Sequence, residues 1–237
     1  MIHSNELVNA VLFIGVLIPS IILHEIAHGW VAERFGDRTA RDAGRITLNP
    51  IPHIDPFGSL LLPGLLAFAG GPVFGYAKPV PVNPAALRQP TRHMAIVALA
   101  GPATNLLLAF VVAMVVRWPV VSERACDGFG QLVDHLGRSL GTQCLGGGEG
   151  VATGGVATRI FLAFVVVNIA LAIFNVLPIP PLDGSRLLPL VLSERARIAY
   201  YRLSQYGFLL LFALVFMFRG ALSFIWDWTG WIAGLLI

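Results

Sequence analysis

The sequence predicts an all-α polytopic membrane protein, with about five or six transmembrane helices and one re-entrant segment. Three observations predict it. Of 237 residues, 56% are hydrophobic and only 12% charged, against about 25% charged in a soluble globular domain. The apolar residues fall in runs close to the roughly 20 needed to cross the hydrocarbon core. The basic residues collect in the gaps between those runs, where they orient membrane proteins. The formal net charge of +3 is therefore no nucleic-acid signal, and the expected surroundings are a lipid bilayer. The length suits a single integral-membrane domain, 1–237, with no large soluble domain besides. The N-terminus lacks a basic n-region, and the first run ends in His-Glu instead of a small-residue cleavage site, so no cleavable signal peptide is expected.

The first span runs from Leu7 to about Val31, uncharged from Leu7 until His24, Glu25 and His28 interrupt it. The second apolar run, Phe57 to Phe74, is broken by Pro63, Gly64, Gly70, Gly71 and Pro72. The third covers about Met94 to Val116 and the fourth about Ile160 to Leu177, where prolines stop the helix. The fifth is Tyr206 to Phe218. The last, Ala221 to Ile237, is Trp-rich and holds Asp227; it either spans or lies at the interface, where Trp is enriched.

The gaps set the orientation. Arg34, Arg38, Arg41 and Arg45 follow the first span, Lys78, Arg88 and Arg92 precede the third, and Arg186, Arg195, Arg197 and Arg202 follow the fourth. The Gly-rich loop within 118–155 holds only Arg124 and Arg138. The positive-inside rule puts the three basic sets in the cytoplasm and the loop outside. The run from Phe57 to Phe74 must then enter and leave on the cytoplasmic side, as its Pro and Gly content allows where protein covers the freed backbone groups. An ordinary kinked span would instead invert everything after it. Cys126 and Cys144 both lie in the outer loop. They form either a disulfide, worth about 3 kcal/mol in an oxidising compartment, or two free thiols.

The chemistry is concentrated in His24-Glu25-Ile26-Ala27-His28. Histidines four apart share one helix face and can reach one zinc at about 2.0–2.1 Å. Glu25 then stands where it can take a proton from the attacking water instead of binding metal. Ionisable groups inside an apolar span are costly and are a functional-site hypothesis by default; the other reading is a structural His pair near the span end. Two histidines leave a catalytic zinc one protein ligand short. Asp183 fits, in Phe174-Asn175-Val176-Leu177-Pro178-Ile179-Pro180-Pro181-Leu182-Asp183-Gly184, beside a flexible Gly184. Its other reading is the N-cap of a helix starting near Ser185.

These motifs resemble the site-2 protease family of intramembrane metalloproteases. HEIAH is similar to its first motif and FNVLPIPPLDG to its second. Ala100-Gly101-Pro102-Ala103-Thr104-Asn105 is similar to its Gly-Pro-x-x-Asn signature. The runs around Asp55 and Lys78 look like the family's minimal branch. The interval before Leu-Asp-Gly is too short for a PDZ domain, and no CBS pair follows, so substrate selection is expected to be absent or left to other proteins. The resemblance implies one zinc ion held by His24, His28 and Asp183, with Glu25 as general base. It implies cleavage of a peptide bond within or near a substrate's transmembrane helix. The expected setting is the bacterial plasma membrane, and hydrolysis needs water, so the site is expected to open to the cytoplasmic side, where both motifs end in the orientation above. Asn175 matches a family Asn that either bonds substrate backbone or oxyanion, or joins helices. Asn105 is expected to pack helices with Gly101. Gly75 to Asn83 alternates as an edge strand can, and the family has a β-hairpin there, near the active site, that pairs with unwound substrate. His53 and Asp55 form a further polar pair, more often structural.

Two rival readings remain at this level. Prenyl-protein endopeptidases share HExxH but use a Glu as third ligand, and no Glu stands in a later apolar segment. A metal transporter or a non-catalytic metal-binding membrane protein would also use these residues, but would spread ionisable groups along a pathway. Substrate identity and oligomeric state do not follow from the sequence.

Overall fold

A computed structural model describes residues 4–61, 77–117, 156–217 and 223–236. Six helices carry the architecture of these residues: α1 Ser4–Arg34, α2 Pro90–Arg117, α3 Val156–Val176, α4 Glu194–Ser204, α5 Gly207–Met217 and α6 Ser223–Leu236. A one-turn helix at Thr39–Asp42 and 3₁₀ segments at Ile51–His53, Pro84–Ala86 and Asp183–Leu190 connect them, with a π-helical turn at Pro56–Leu61. Within α1 and α2, Leu12–Arg34 and Pro90–Val115 are long and apolar enough to cross a membrane, and Ile160–Val176 is a shorter apolar stretch. At 1.5 Å per residue, the described residues of α5 and α6 extend about 16 and 21 Å, against a roughly 30 Å hydrocarbon core. The run from Phe57 to Phe74, the 118–155 loop and both cysteines lie wholly or mostly outside the described residues.

The helices α1, α2 and α3 pack mutually, and α6 closes against α3. Alanines make this possible. Ala109 and Ala113 of α2 meet Val165, Val166 and Ile169 of α3 and Ala233 of α6. Val16 of α1 meets Ala163 and Val167. Small residues let helix backbones approach, and close packing, not water exclusion, holds helices together in lipid. A polar link adds to it, because the Asn168 amide donates to Ser20 Oγ at 2.9 Å. Outward, α2 presents Leu107, Val111 and Val115, spaced four apart and at least half exposed. A soluble helix turns its apolar stripe inward; this one carries apolar residues on its outside too.

At the far end of α1, Ala32 packs with Leu87 and Val97, flanked by Phe35, Val82 and Met94. The C-terminus of α1 therefore lies beside the N-terminus of α2, and the two run antiparallel. The prolines after Val176 end α3 as expected. The chain doubles back so tightly that a methyl at Gly184 would stand 1.9 Å from the Val176 carbonyl oxygen. Gly184 thus serves close approach. Its φ lies outside the left-handed region, which replaces the flexibility expected of it. The 3₁₀ segment Asp183–Leu190 then packs on α2.

One expectation is corrected. No described residue forms a strand, and 77–83, the described part of the expected edge strand and hairpin, runs as irregular extended chain. The physical reason is that most of its donors are spent or missing. Pro79 and Pro81 have no N–H. The Lys78 N–H goes to the His53 carbonyl, the Val80 N–H to Glu25 and the Asn83 N–H to Asp37.

Candidate metal centre

The α1 helix presents His24 and His28 on one face, as the spacing requires, and both are buried. Their Nε2 atoms are 3.0 Å apart. Asp183, first residue of its 3₁₀ segment, points its carboxylate at both: Oδ2 lies 3.0 Å from His24 Nε2 and 3.1 Å from His28 Nε2. Asp183 is not the N-cap that the other reading made it: Leu182 holds that position with no side-chain cap bond, and the Asp183 side chain turns to the histidines. Three donor atoms form a nearly equilateral triangle, close to the edge of about 3.3 Å of a tetrahedron with bonds of about 2.0–2.1 Å. Among the described residues these three are the one group of His, Cys, Asp and Glu able to share a metal ion.

Second contacts prepare the nitrogens. His28 Nδ1 donates to the Val97 carbonyl at 2.7 Å, which leaves Nε2 with its lone pair facing the triangle. His24 Nδ1 is buried with no partner among the described residues. On the α2 side stands Gly101. A methyl there would lie 2.4 Å from His24 Nε2 and 2.5 Å from His28 Nε2. The open space beside the donors thus exists because residue 101 has no side chain. Together with the His₂Asp donor set, this cradle fits a zinc ion with a position left for reactants. Sequence reasoning assigned Gly101 to helix packing; the signature showed a glycine, but not what crossed it. Asn105, one turn on, is fully buried between the helices, its amide atoms without partners among the described residues.

Glu25 is half-buried and accepts the Val80 N–H at 2.7 Å. Asn175 donates to the Leu171 carbonyl of its own helix at 3.0 Å, leaving one of its two N–H groups for another acceptor. His53 and Asp55 both bond to nearby backbone. His53 is buried, its Nε2 3.0 Å from the Thr47 carbonyl, and Asp55 accepts the Phe57 and Gly58 N–H groups.

Sequence reasoning missed Arg45 and Asp37. Arg45 looked like one of four orienting cations, yet it is 7% exposed and donates to the Lys78 and Pro79 carbonyls at 2.8 and 3.0 Å. Asp37 is 1% exposed and accepts from Thr39 and, at 2.6 Å, from the Asn83 N–H. Burial alone would raise its pKa, but these hydrogen bonds hold the carboxyl below its ordinary value.

Apolar helices of membrane-crossing length, joined around a His-x-x-x-His pair and a distant carboxylate, define a metallopeptidase of the HExxH type. The chain belongs to Peptidase family M50, whose family model matches residues 12–218. It is 37% identical over 198 residues to "Putative zinc metalloprotease YwhC" of Bacillus subtilis (strain 168), covering 84% of this chain and 77% of that one. It is 31% identical over 208 residues to "Putative zinc metalloprotease Rip2" of Mycolicibacterium smegmatis, covering 86% of this chain and 66% of the relative. Against the protein of the same name in Mycobacterium tuberculosis (H37Rv), identity is 30% over 240 residues, covering 98% and 77%. No solved structure matches the chain.

Proposed function

We propose that this protein is a zinc-dependent intramembrane endopeptidase. It hydrolyses a peptide bond within or near the transmembrane helix of a membrane-protein substrate. The observation that carries this reading is the 3.0–3.1 Å triangle of His24, His28 and Asp183 donors, set on a helix of membrane length with Glu25 beside it. His24, His28 and Asp183 hold one zinc ion. When bound, zinc acidifies a water and polarises the scissile carbonyl. Glu25 accepts the proton of the attacking water and returns it to the leaving amine. Asn175 offers its second N–H to the substrate backbone or the oxyanion. A helical substrate must unwind first, since its carbonyls are bonded within the helix.

The protein is a single multi-pass domain in the bacterial plasma membrane, with the 118–155 loop outside and the site open to the cytoplasm. The backbone bond from Lys78 N–H to the His53 carbonyl, 2.9 Å, supports a re-entrant 57–74 run. A one-way crossing would separate its ends by about 30 Å. The test is co-expression with single-span membrane proteins, comparing wild type with Glu25→Gln. Chelator-sensitive cleavage by wild type alone is expected, with Glu25→Gln still binding zinc and slower by at least about 10²-fold. Full turnover by Glu25→Gln ends the mechanism. Zinc uptake into sealed vesicles without cleavage favours a transporter.

A further inference from the structure

The extended segment 77–83 carries little regular structure, yet it is fastened at both ends and in the middle. Near its start, the buried Arg45 guanidinium bridges the Lys78 and Pro79 carbonyls at 2.8 and 3.0 Å. At its end, the buried Asp37 carboxylate takes the Asn83 N–H at 2.6 Å. Between them, the Val80 N–H meets Glu25 Oε2 at 2.7 Å. Val80 itself is buried against Gly29, where a methyl would come within 3.2 Å of Val80 Cγ1. Gly29 is the neighbour of His28, so the segment presses on α1 one residue from a metal-centre histidine.

Each anchor has a chemical reason to be stiff. Arg45 places one charged nitrogen, Nη2, between the two carbonyls, and both of its bonds are charge-assisted. Asp37 is tied to its own loop by the Thr39 N–H and hydroxyl. Pro79 and Pro81 limit backbone freedom on both sides of Val80. The result is one backbone donor held still in front of one carboxylate oxygen. Among the described residues no donor reaches Glu25 Oε1, which leaves that oxygen able to accept a proton.

We infer that Arg45 and Asp37 are positioning residues for the protease, bracing segment 77–83 so that the Val80 N–H fixes the Glu25 carboxylate in its working orientation. The inference rests on Glu25 acting as general base. A carboxylate free to rotate spends its time in unproductive geometries, and a misplacement near 1 Å costs about 10²-fold in rate. Arg45 therefore does more than orient the chain in the membrane. The exposed Arg41, which pairs with Glu33, has no such bond to the segment.

The experiment uses the full-length protein in lipid, with a cleavable single-span peptide. Arg45→Met is expected to lower kcat by about 10²-fold with KM little changed and zinc content unaltered. Arg45→Lys, which keeps charged donors near the same carbonyls, recovers most of the rate, and Arg41→Met leaves it unchanged. An unchanged kcat in Arg45→Met overturns the inference. So does a rise in KM alone, which would make the segment a substrate clamp only, and so does loss of zinc together with rate, which would make the brace merely structural. Hydrogen exchange at the Val80 amide supplies a readout independent of cleavage. Protection in wild type that is lost in both Glu25→Ala and Arg45→Met is expected. An unprotected Val80 amide in wild type refutes the brace, whereas a protected amide in a protein without chelator-sensitive cleavage refutes only the assigned activity.

Discussion

Replacing Gly101 by alanine tests whether the space beside the histidines belongs to the metal. The new methyl would stand 2.4 Å from His24 Nε2, 2.5 Å from His24 Cε1 and 2.5 Å from His28 Nε2. Carbon contacts are comfortable at about 3.5–4.0 Å, so the overlap is about 1 Å. The backbone of α2 does not yield easily, because it packs on both α1 and α3. The His28 ring is tied to Val97 by its 2.7 Å bond, whereas His24 Nδ1 has no partner among the described residues. The His24 ring therefore turns first, and the ligand triangle opens while the helices stay packed. Overpacking of this kind costs about 1–3 kcal/mol. Charged against metal binding, that is a loss of about 5- to 150-fold in zinc affinity, since about 1.4 kcal/mol is tenfold. The assay is chelator competition on purified protein, with zinc per chain and thermal unfolding measured alongside. The control is Gly234→Ala, where a methyl meets nothing within 4 Å. Gly101→Ala protein with wild-type zinc affinity would refute the assignment of this space.

Other consequences follow from neighbouring contacts. Asp183→Ala removes one of three donors and should lose most of its zinc at chelator concentrations that leave wild type loaded, as read by metal content. Gly184→Ala puts a methyl 1.9 Å from the Val176 carbonyl oxygen and 2.3 Å from its carbon. Backbone cannot swing aside as a ring does, so a destabilisation of about 3 kcal/mol or more is expected, seen as a lower unfolding temperature together with zinc loss. Asp37, with its folded pKa depressed, stabilises the protein above its unfolded pKa of about 4 and ceases to do so as pH falls through the folded value. Unfolding temperatures measured from pH 5 downward should drop more steeply in wild type than in Asp37→Asn.

Much of the site was legible because its signals are local. Histidines four apart on an apolar helix declare a shared face without reference to the rest of the chain. The fourth span ends at Val176 because proline chemistry ends helices wherever it occurs. The edge strand expected over Gly75 to Asn83 fails in its described part, 77–83, for a related reason. Alternation describes which residues could face a partner, but not whether the N–H groups are already taken by His53, Glu25 and Asp37. Helix α4 was likewise invisible among residues that had been read as basic connectors.

The sequence by itself determined the membrane class and the donor types at the metal centre. Each is set by composition or by spacing within a few residues, on which short-range physics acts directly. Tertiary structure alone decided that Asp183 reaches His24 across 159 positions, that Gly101 clears the space between them, and that one of four similar arginines is a buried brace. Those outcomes depend on which surfaces meet when helices pack, and a linear pattern carries no record of that meeting.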